Sequence, residues 1–337
     1  MQMVKAMVAS AQGGKLAPQE IELPALGDGD VEIDVTHCGI CHSDLSMLNN
    51  DWGFSQYPLV PGHEAVGRVV DMGRAVTHLK KGDTVGLGWF SHSCMTCPQC
   101  MGGDHNLCPT GEMTMVGRPG GWAKKVRCGA EWAIPIPKGV EAKDAGPLFC
   151  GGLTVFNPIL QFGVKPTDRV GVIGIGGLGH LALQFLNKWG CEVYAFSSSP
   201  GKTDEAKGMG AHHVVNSRDP EALRKLTGSM DFIISTVNVS LDWPAYLETL
   251  APKGKLHVVG AVPEPMGIPV FPLLTGQRSV SGSPVGSPTT TSRMLEFCGR
   301  HGIKPITEHF PMSKANEALD HLKAGKARYR IVLDMDL

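Results

Sequence analysis

No stretch of the chain approaches the roughly 18 uninterrupted apolar residues that a membrane helix needs. The N-terminal MQMVKAMVAS has one lysine, no sustained apolar core and no small-residue cleavage site, which points away from a secretory signal. Neither sign of charge is in excess. With 31 Lys and Arg against 32 Asp and Glu, the formal net charge of -1 gives no electrostatic reason for nucleic acid or a membrane surface as partner. There is no internal repeat and no tag, and the 43 glycines and 24 prolines form no run repetitive enough to be disordered. What remains is a composition of 42% hydrophobic and 19% charged residues, that of a water-soluble globular protein with an expected cytoplasmic address. At 337 residues the chain is long for one core, so about two domains are expected. Ten cysteines would mean disulfides in a secreted protein; in a cytoplasmic one, metal binding or catalysis is the better account.

Val31 to Thr36 alternates apolar and polar residues and predicts a half-buried strand leading to Cys38-Gly39-Ile40-Cys41. Pro58 and Pro61 bracket a short extended connection to Gly62-His63-Glu64, and Ala65 to Asp71 predicts a second strand. Glycine-rich turns and short apolar runs to about Pro137 describe a mainly β, partly closed domain. Near Pro147 the pattern changes. Arg169 to Gly174 predicts a strand, and Leu178, Leu181, Ala182, Phe185, Leu186 and Trp189 form one face of a helix ended by Gly190. A strand at Glu192 to Phe196, a helix at Lys202 to Met209, a cap at Asp219-Pro220 and strands at Phe232 to Val237 and Lys255 to Gly260 follow. Strands alternating with helices predict a parallel sheet covered on both faces. Helices from about Ser292 to His301 and from Ser313 to Lys323 then lead to a last strand, Arg328 to Asp334, expected to rejoin the first domain.

Three constellations carry chemistry. The most specific is Cys94-x2-Cys97-x2-Cys100-x7-Cys108, whose four thiolates can surround one Zn2+ at about 2.3 Å with no open position, the mark of a structural site. Buried free thiols or an iron–sulfur cluster are the other accounts; the two-residue gaps, which let a looping backbone turn each sulfur inward, favour zinc. The second is Gly174-Ile175-Gly176-Gly177-Leu178-Gly179, set between a strand and a helix, where glycines allow a tight turn and a close approach to a pyrophosphate. At the end of the next strand, where an acid would bind a ribose 2'-hydroxyl, stands Ser197. It opens Ser197-Ser198-Ser199-Pro-Gly-Lys202, hydroxyl donors and a cation with no carboxylate before Asp204, which suits a 2'-phosphate and so NADP(H) over NAD(H). The third is Gly39 to Glu64, with Cys41 and His63 as half of a tetrahedral zinc site and Asp44 and Glu64 as carboxylates able to fix an imidazole tautomer. The missing ligand could be Cys38, Cys128, Cys150, Cys191 or Cys298, a histidine or a carboxylate. Position favours Cys150, where the chain leaves the first domain.

Together CGICHSDL, YPLVPGHE, CGGLTVF, the SSS-x2-K turn and SGSPVGS at Ser281 to Ser287 resemble the zinc-dependent medium-chain alcohol dehydrogenases over essentially the whole chain. Within that family the chain resembles the cinnamyl-alcohol-dehydrogenase-like, NADP-dependent aldehyde reductases. The resemblance implies a GroES-like, mainly β catalytic domain from residues 1–150 and 287–337, with a structural zinc lobe at about 90–110. A Rossmann domain, a doubly wound parallel sheet, is implied over 151–286. It implies Cys41, His63 and Cys150 as ligands of a catalytic zinc and Cys94, Cys97, Cys100 and Cys108 as ligands of a structural one. Glu64 matches a carboxylate that can approach the metal, Asp44 the partner of the liganding histidine, and Ser43 the hydroxyl that passes the proton. His42 and Arg330 match residues that meet the cofactor pyrophosphate, and Thr154 one against the nicotinamide. Trp52, Trp89 and Phe90 resemble substrate-pocket walls, although ordinary core aromatics would look the same. Close relatives often carry a histidine where this chain has Ser46, so the proton route runs through Ser46 and water with Asp51, through the cofactor ribose, or directly to solvent.

The implied reaction is reversible hydride transfer between NADP(H) and a primary alcohol or aldehyde, aromatic or medium-chain, working as an aldehyde reductase. The alternatives are a polyol or other secondary-alcohol dehydrogenase and a non-catalytic NADPH-binding member of the superfamily. A homodimer through the edge strand at Ser279 to Gly282 is expected.

Overall fold

The alternation of strands and helices in the middle of the chain becomes a six-stranded parallel sheet. In this computed structural model, which describes residues 2–337, the sheet belongs to the unit Thr154–Val285, and the remaining residues form a second unit. Across the sheet the strands run His213–Asn216, Glu192–Ser197, Arg169–Ile173, Met230–Ser235, Leu250–Val258 and Ser279–Gly282. Numbered along the chain this is the order 3-2-1-4-5-6, the doubly wound Rossmann arrangement, with its switch point at Arg169–Ile173. The strands are apolar on both faces, as burial under helices on two sides requires: Val170, Val172, Ile173, Ile233, Ile234 and Leu256 are all buried. The helix Gly179–Trp189 turns Leu181, Ala182, Phe185 and Leu186 inward, and Gly190 ends it at φ 107, its N–H on the Asn187 and Leu186 carbonyls. Phe185→Ala would cost about 3–5 kcal/mol through the cavity it leaves.

One buried group in this unit makes its stability depend on pH. His257, fully buried, stands with Nδ1 2.9 Å from Ser281 Oγ and Nε2 2.9 Å from Ser283 Oγ, and its ring centroid is 5.0 Å from that of Phe162. Burial pushes its pKa from 6.5 down to about 4. The folded protein therefore resists a proton that the unfolded chain accepts, so the contribution is complete above pH 6.5 and is lost as pH falls through 6.5 towards 4. The size is about 3 kcal/mol. Urea unfolding at stepped pH is expected to show one extra proton taken up on unfolding in this window, and His257→Asn to remove it.

The other unit runs to Leu153 and resumes at Gly286. Its spine is the 11-residue strand Asp30–Ile40, which pairs antiparallel with Ala65–Met72, Lys125–Gly129 and the C-terminal Arg330–Asp334. Thr84–Leu87, Ile134–Pro135 and Thr307–Pro311 complete a seven-stranded, mainly antiparallel sheet, the GroES-like half of the fold. Its core holds Val31, Ile33, Val35, Leu87, Trp122, Ile331 and Leu333. A buried carboxylate, Glu32, is neutralised by Lys125 at 2.6 Å and Arg127 at 2.5 Å. Two expectations shift here. The helix expected from about Ser292 begins at Pro288, because Ser287 Oγ accepts the Thr290 N–H at 3.3 Å and Pro288 fits the first turn. The run of three threonines, weak helix formers, hid that start. The last strand begins at Arg330, and the hairpin Gln2–Val8/Ala17–Leu23 and the helices His42–Asn49 and Gly151–Gln161 were not expected.

Candidate active site and cysteine lobe

Where the spine strand ends, Cys41 becomes the N-cap of the helix His42–Asn49. Its Sγ accepts the Ser43 N–H at 3.2 Å, and Asp44 Oδ2 accepts the Cys41 N–H at 2.9 Å, a reciprocal capping box with sulfur in place of the usual hydroxyl. The other oxygen of Asp44 accepts the Gly62 N–H at 2.9 Å and faces His63 Nδ1 at 3.1 Å. One fully buried carboxylate thus ties the two turns that carry Cys41 and His63. Because an ionised carboxylate only accepts, Nδ1 carries the proton towards it. Cys150 arrives from far along the chain, at the end of the short helical turn Gly146–Phe149, with its Sγ 3.9 Å from Cys41 Sγ.

Donor atoms of Cys41, His63, Glu64 and Cys150 all lie within 4.8 Å of one another, and all four residues are buried. His63 Nε2 and Glu64 Oε2 have no hydrogen-bond partner there. The hydrogen bond to Cys150, with His63 and Arg330, holds the Cys41 thiol well below its ordinary value against the effect of burial. Cys150 is pushed well up by that same bond and by burial. Burial disfavours an imidazolium at His63, but Asp44 and Cys41 outweigh it and raise its pKa well above 6.5. Two sulfurs, an unpartnered ring nitrogen and a field that favours positive charge form a donor set suited to Zn2+. Glu64 Oε1 is paired with Arg330, 4% exposed, which the C-terminal strand brings in because Ile331 stands opposite Ile40. Burial, only partly offset by Arg330, holds the Glu64 carboxyl above its ordinary value.

The other cysteines once open as third donor do not meet this cluster. Cys38 and Cys128 are buried in the core with their thiols raised by burial, and Cys191 and Cys298, each pushed up to about 12 by burial, donate to the Lys165 carbonyl and to Met294 Sδ. Trp89 sets its ring edge-on to His63, centroids 5.1 Å apart, and Trp52 packs on Trp89 at 5.8 Å. Phe90 does not join these stacked rings: it packs 5.5 Å from Trp132. Phe54, stacked on Trp52 at 5.8 Å, was missed; its signal was the aromatic pair Trp52-Gly53-Phe54 in one loop. Ser43 is half-buried next to Cys41, and His42 is exposed. Asp51 is exposed beyond the helix, its N–H on the Ser46 carbonyl at 2.9 Å.

The four lobe cysteines also gather, their sulfurs within 4.8 Å of one another. Backbone amides point at the sulfurs: Cys97 N–H to Cys94 at 3.2 Å, Cys100 N–H to Cys97 at 3.4 Å and Cys94 N–H to Cys108 at 3.4 Å. The Thr96 and Cys97 amides bring the Cys94 thiol down to about 5, while burial pushes Cys100 up to about 12. Four sulfurs with converging amides fit a tetrahedral metal ion.

In the Rossmann unit, Gly174 sits at φ 88, and a Cβ on Gly179 would fall 1.8 Å from the Gly174 carbonyl oxygen, so the helix cannot approach the turn otherwise. Gly176 is different: a Cβ there would meet nothing within 4 Å, leaving open space over the loop. The helix it precedes has no side-chain cap, and the His180 and Leu181 amides of its first turn donate to the Gly176 and Leu178 carbonyls at 3.1 Å each. Ser197 ends the second strand and holds the Ser199 N–H at 3.2 Å, Ser198 and Ser199 are exposed, and Lys202 Nζ donates to the Ile175 carbonyl at 2.8 Å. Thr154 is buried in the helix Gly151–Gln161.

Residues 27–138 match the model of the alcohol dehydrogenase GroES-like domain, and residues 177–300 that of the zinc-binding dehydrogenases. The chain is 56% identical to aldehyde reductase AdhA of Synechocystis sp., over 98% of both chains. Its fold matches that of a cinnamyl alcohol dehydrogenase from Sorghum bicolor with a TM-score of 0.94 at 38% identity, covering 99% of this chain and 98% of the other. It also matches a cinnamyl alcohol dehydrogenase (CAD) from Helicobacter pylori complexed with NADP(H), TM-score 0.90 at 30% identity over 98% of both. The chain belongs to the zinc-dependent medium-chain alcohol dehydrogenase family, in its cinnamyl-alcohol-dehydrogenase-like branch. No helix among the described residues is long and apolar enough to cross a membrane.

Proposed function

We propose that this chain is an NADP(H)-dependent aldehyde reductase, interconverting a primary aldehyde, aromatic or medium-chain, and its alcohol. The observation that carries the reading is the donor set of Cys41, His63 and Cys150, with His63 Nε2 unpartnered and buried among them. In this reading those three residues hold a catalytic zinc, and Cys94, Cys97, Cys100 and Cys108 hold a structural one. A zinc ion held there would supply Lewis acidity, and a bound nicotinamide would supply the hydride chemistry. The protein does the rest. Asp44 keeps the His63 proton on Nδ1, so that Nε2 offers its lone pair. Ser43 exchanges the hydroxyl proton. Trp89 and Trp52 supply an apolar wall that excludes water and suits a flat substrate.

The glycine loop holds the pyrophosphate, with His42 and Arg330 as its further contacts. Ser197, Ser198, Ser199 and Lys202 face the 2'-phosphate, and Thr154 the nicotinamide. The proposed division of labour gives the cofactor to 151–286 and the metal and substrate to 1–150 with 287–337, within a few residues of the boundaries of the two units. A homodimer through Ser279–Gly282, the outer strand of the parallel sheet, belongs to the same reading, as does a cytoplasmic setting.

The test is initial-rate kinetics with aliphatic, cinnamyl and benzyl aldehydes and each nicotinamide. NADPH is expected to exceed NADH in kcat/KM, and equal values would refute the preference. Ser197→Asp sets a carboxylate against the 2'-phosphate. Losing charge-assisted hydrogen bonds worth about 1.5–3 kcal/mol lowers kcat/KM for NADPH roughly ten- to hundredfold, while that for NADH holds or rises.

A further inference from the structure

Gly39 stands in the spine strand in an ordinary extended conformation, so its backbone does not call for glycine. The space around it does. Gly39 lies across the ladder from Glu64, its N–H donating to the Glu64 carbonyl at 3.0 Å, and cross-strand neighbours project to the same face. A Cβ on Gly39 would fall 1.8 Å from Glu64 Oε2 and 2.9 Å from its Cδ. From behind, Gly146 closes in: a Cβ there would fall 2.7 Å from the Glu64 carbonyl oxygen and 3.0 Å from the Gly39 nitrogen. The Glu64 carboxylate therefore occupies the volume that any other residue at position 39 would fill. Arg330 holds one of its oxygens, while Oε2 has no hydrogen-bond partner.

We propose that Gly39 is a positioning residue: it gives the Glu64 carboxylate a seat beside Cys41, His63 and Cys150 and so keeps it from joining their donor set. This rests on the reading that those three residues bind a metal ion. The reason it matters is the open position. A catalytic zinc needs three protein donors and one place for substrate, and a carboxylate oxygen within 4.8 Å of the other donors is a ready fourth ligand. Arg330 binds one oxygen, and the volume left by the missing side chain of Gly39 accommodates the other.

The experiment replaces the catalytic-site metal with Co2+, leaves zinc in the lobe, and reads the visible absorption against a Cys150→Ser blank. The native protein is expected to give the strong bands of four-coordinate cobalt. In Gly39→Ala the displaced carboxylate enters the donor set, and the bands lose intensity towards those of five-coordinate cobalt. Gly39→Ala/Glu64→Asp, whose shorter carboxylate clears the new methyl group and still neutralises Arg330, recovers the native spectrum. A Gly39→Ala spectrum identical to the native one, or a double variant with the same spectrum as Gly39→Ala, overturns the proposal while leaving the metal site intact. Absence of any Cys150-dependent cobalt band in the native protein overturns the metal-site reading itself, and the proposal with it. If Gly39→Ala alone does not fold, the double variant decides: a folded protein with the native spectrum supports the seat for Glu64, and an unfolded one shows that position 39 needs glycine for another reason.

Discussion

On the proposed reading, native protein is expected to carry two zincs per chain and Cys150→Ser protein one, with turnover about a thousandfold slower in the variant. A metal acting as Lewis acid contributes several kcal/mol of charge stabilisation in the transition state, and each 1.36 kcal/mol is a factor of ten in rate. The loss is selective because Cys150 shares nothing with the lobe. Its sulfur lies 3.9 Å from that of Cys41, whereas Cys94, Cys97, Cys100 and Cys108 form a separate cluster. Serine keeps the size of the side chain but replaces a soft thiolate by a hydroxyl that remains protonated. Metal analysis by mass spectrometry, run beside the rate with NADPH and an aldehyde, checks both halves. Full turnover with one zinc would remove Cys150 from the site.

Cys100→Ser is expected to act through stability. Between Cys94 and Cys108 only Cys100 and Asn106 are buried, and Met95, Met101 and Leu107 are 43%, 75% and 50% exposed. A segment with so little apolar burial cannot offset the entropy of ordering its own backbone, about 1–2 kcal/mol per residue. On the proposed reading a bound metal offsets it, since structural Zn2+ in comparable peptides contributes about 10–16 kcal/mol. Residues 94–108 should therefore lose hydrogen-exchange protection and become open to proteolysis, with one zinc lost. The cobalt bands from Cys41, His63 and Cys150 should persist. Unchanged protection in this segment would mean that backbone contacts, not metal, hold the lobe.

What could be read from the sequence was whatever depends on near neighbours. The cysteine spacing and the glycine turn are local patterns, and the lobe cluster assembles from the residues that spacing singled out, whereas Cys150 stood out among several open donors only by its position in the chain. The helix after the glycine turn was legible because six apolar residues share one face and a glycine stops it. The Pro288 start shows the opposite: cap and proline were present, but three threonines broke the periodicity that would have drawn attention to them. Phe90 was placed by adjacency to Trp89, yet its ring packs on Trp132, a contact to a residue 42 positions on that no local pattern gives. The Glu64–Arg330 pair joins residues 266 apart. Its partners are set by the register of the C-terminal strand against Asp30–Ile40, which no local pattern encodes. The tight fit of Glu64 over Gly39 lies further still from the sequence, since it depends on what a missing side chain leaves room for.

The capping box at Cys41 bears on the order in which the enzyme matures. Asp44 accepts the Cys41 and Gly62 amides and holds His63 through hydrogen bonds of the polypeptide alone. If the proposed zinc reading holds, folding of the helix His42–Asn49 brings two donors together without an ion, so this site could be charged after synthesis is complete. On the same reading, the segment around Cys94 to Cys108, lacking a core, would need its ion while the chain is folding. A cell briefly starved of zinc would then accumulate two kinds of molecule: dormant ones that late metal can awaken, and defective ones, open at the lobe, that proteases remove first.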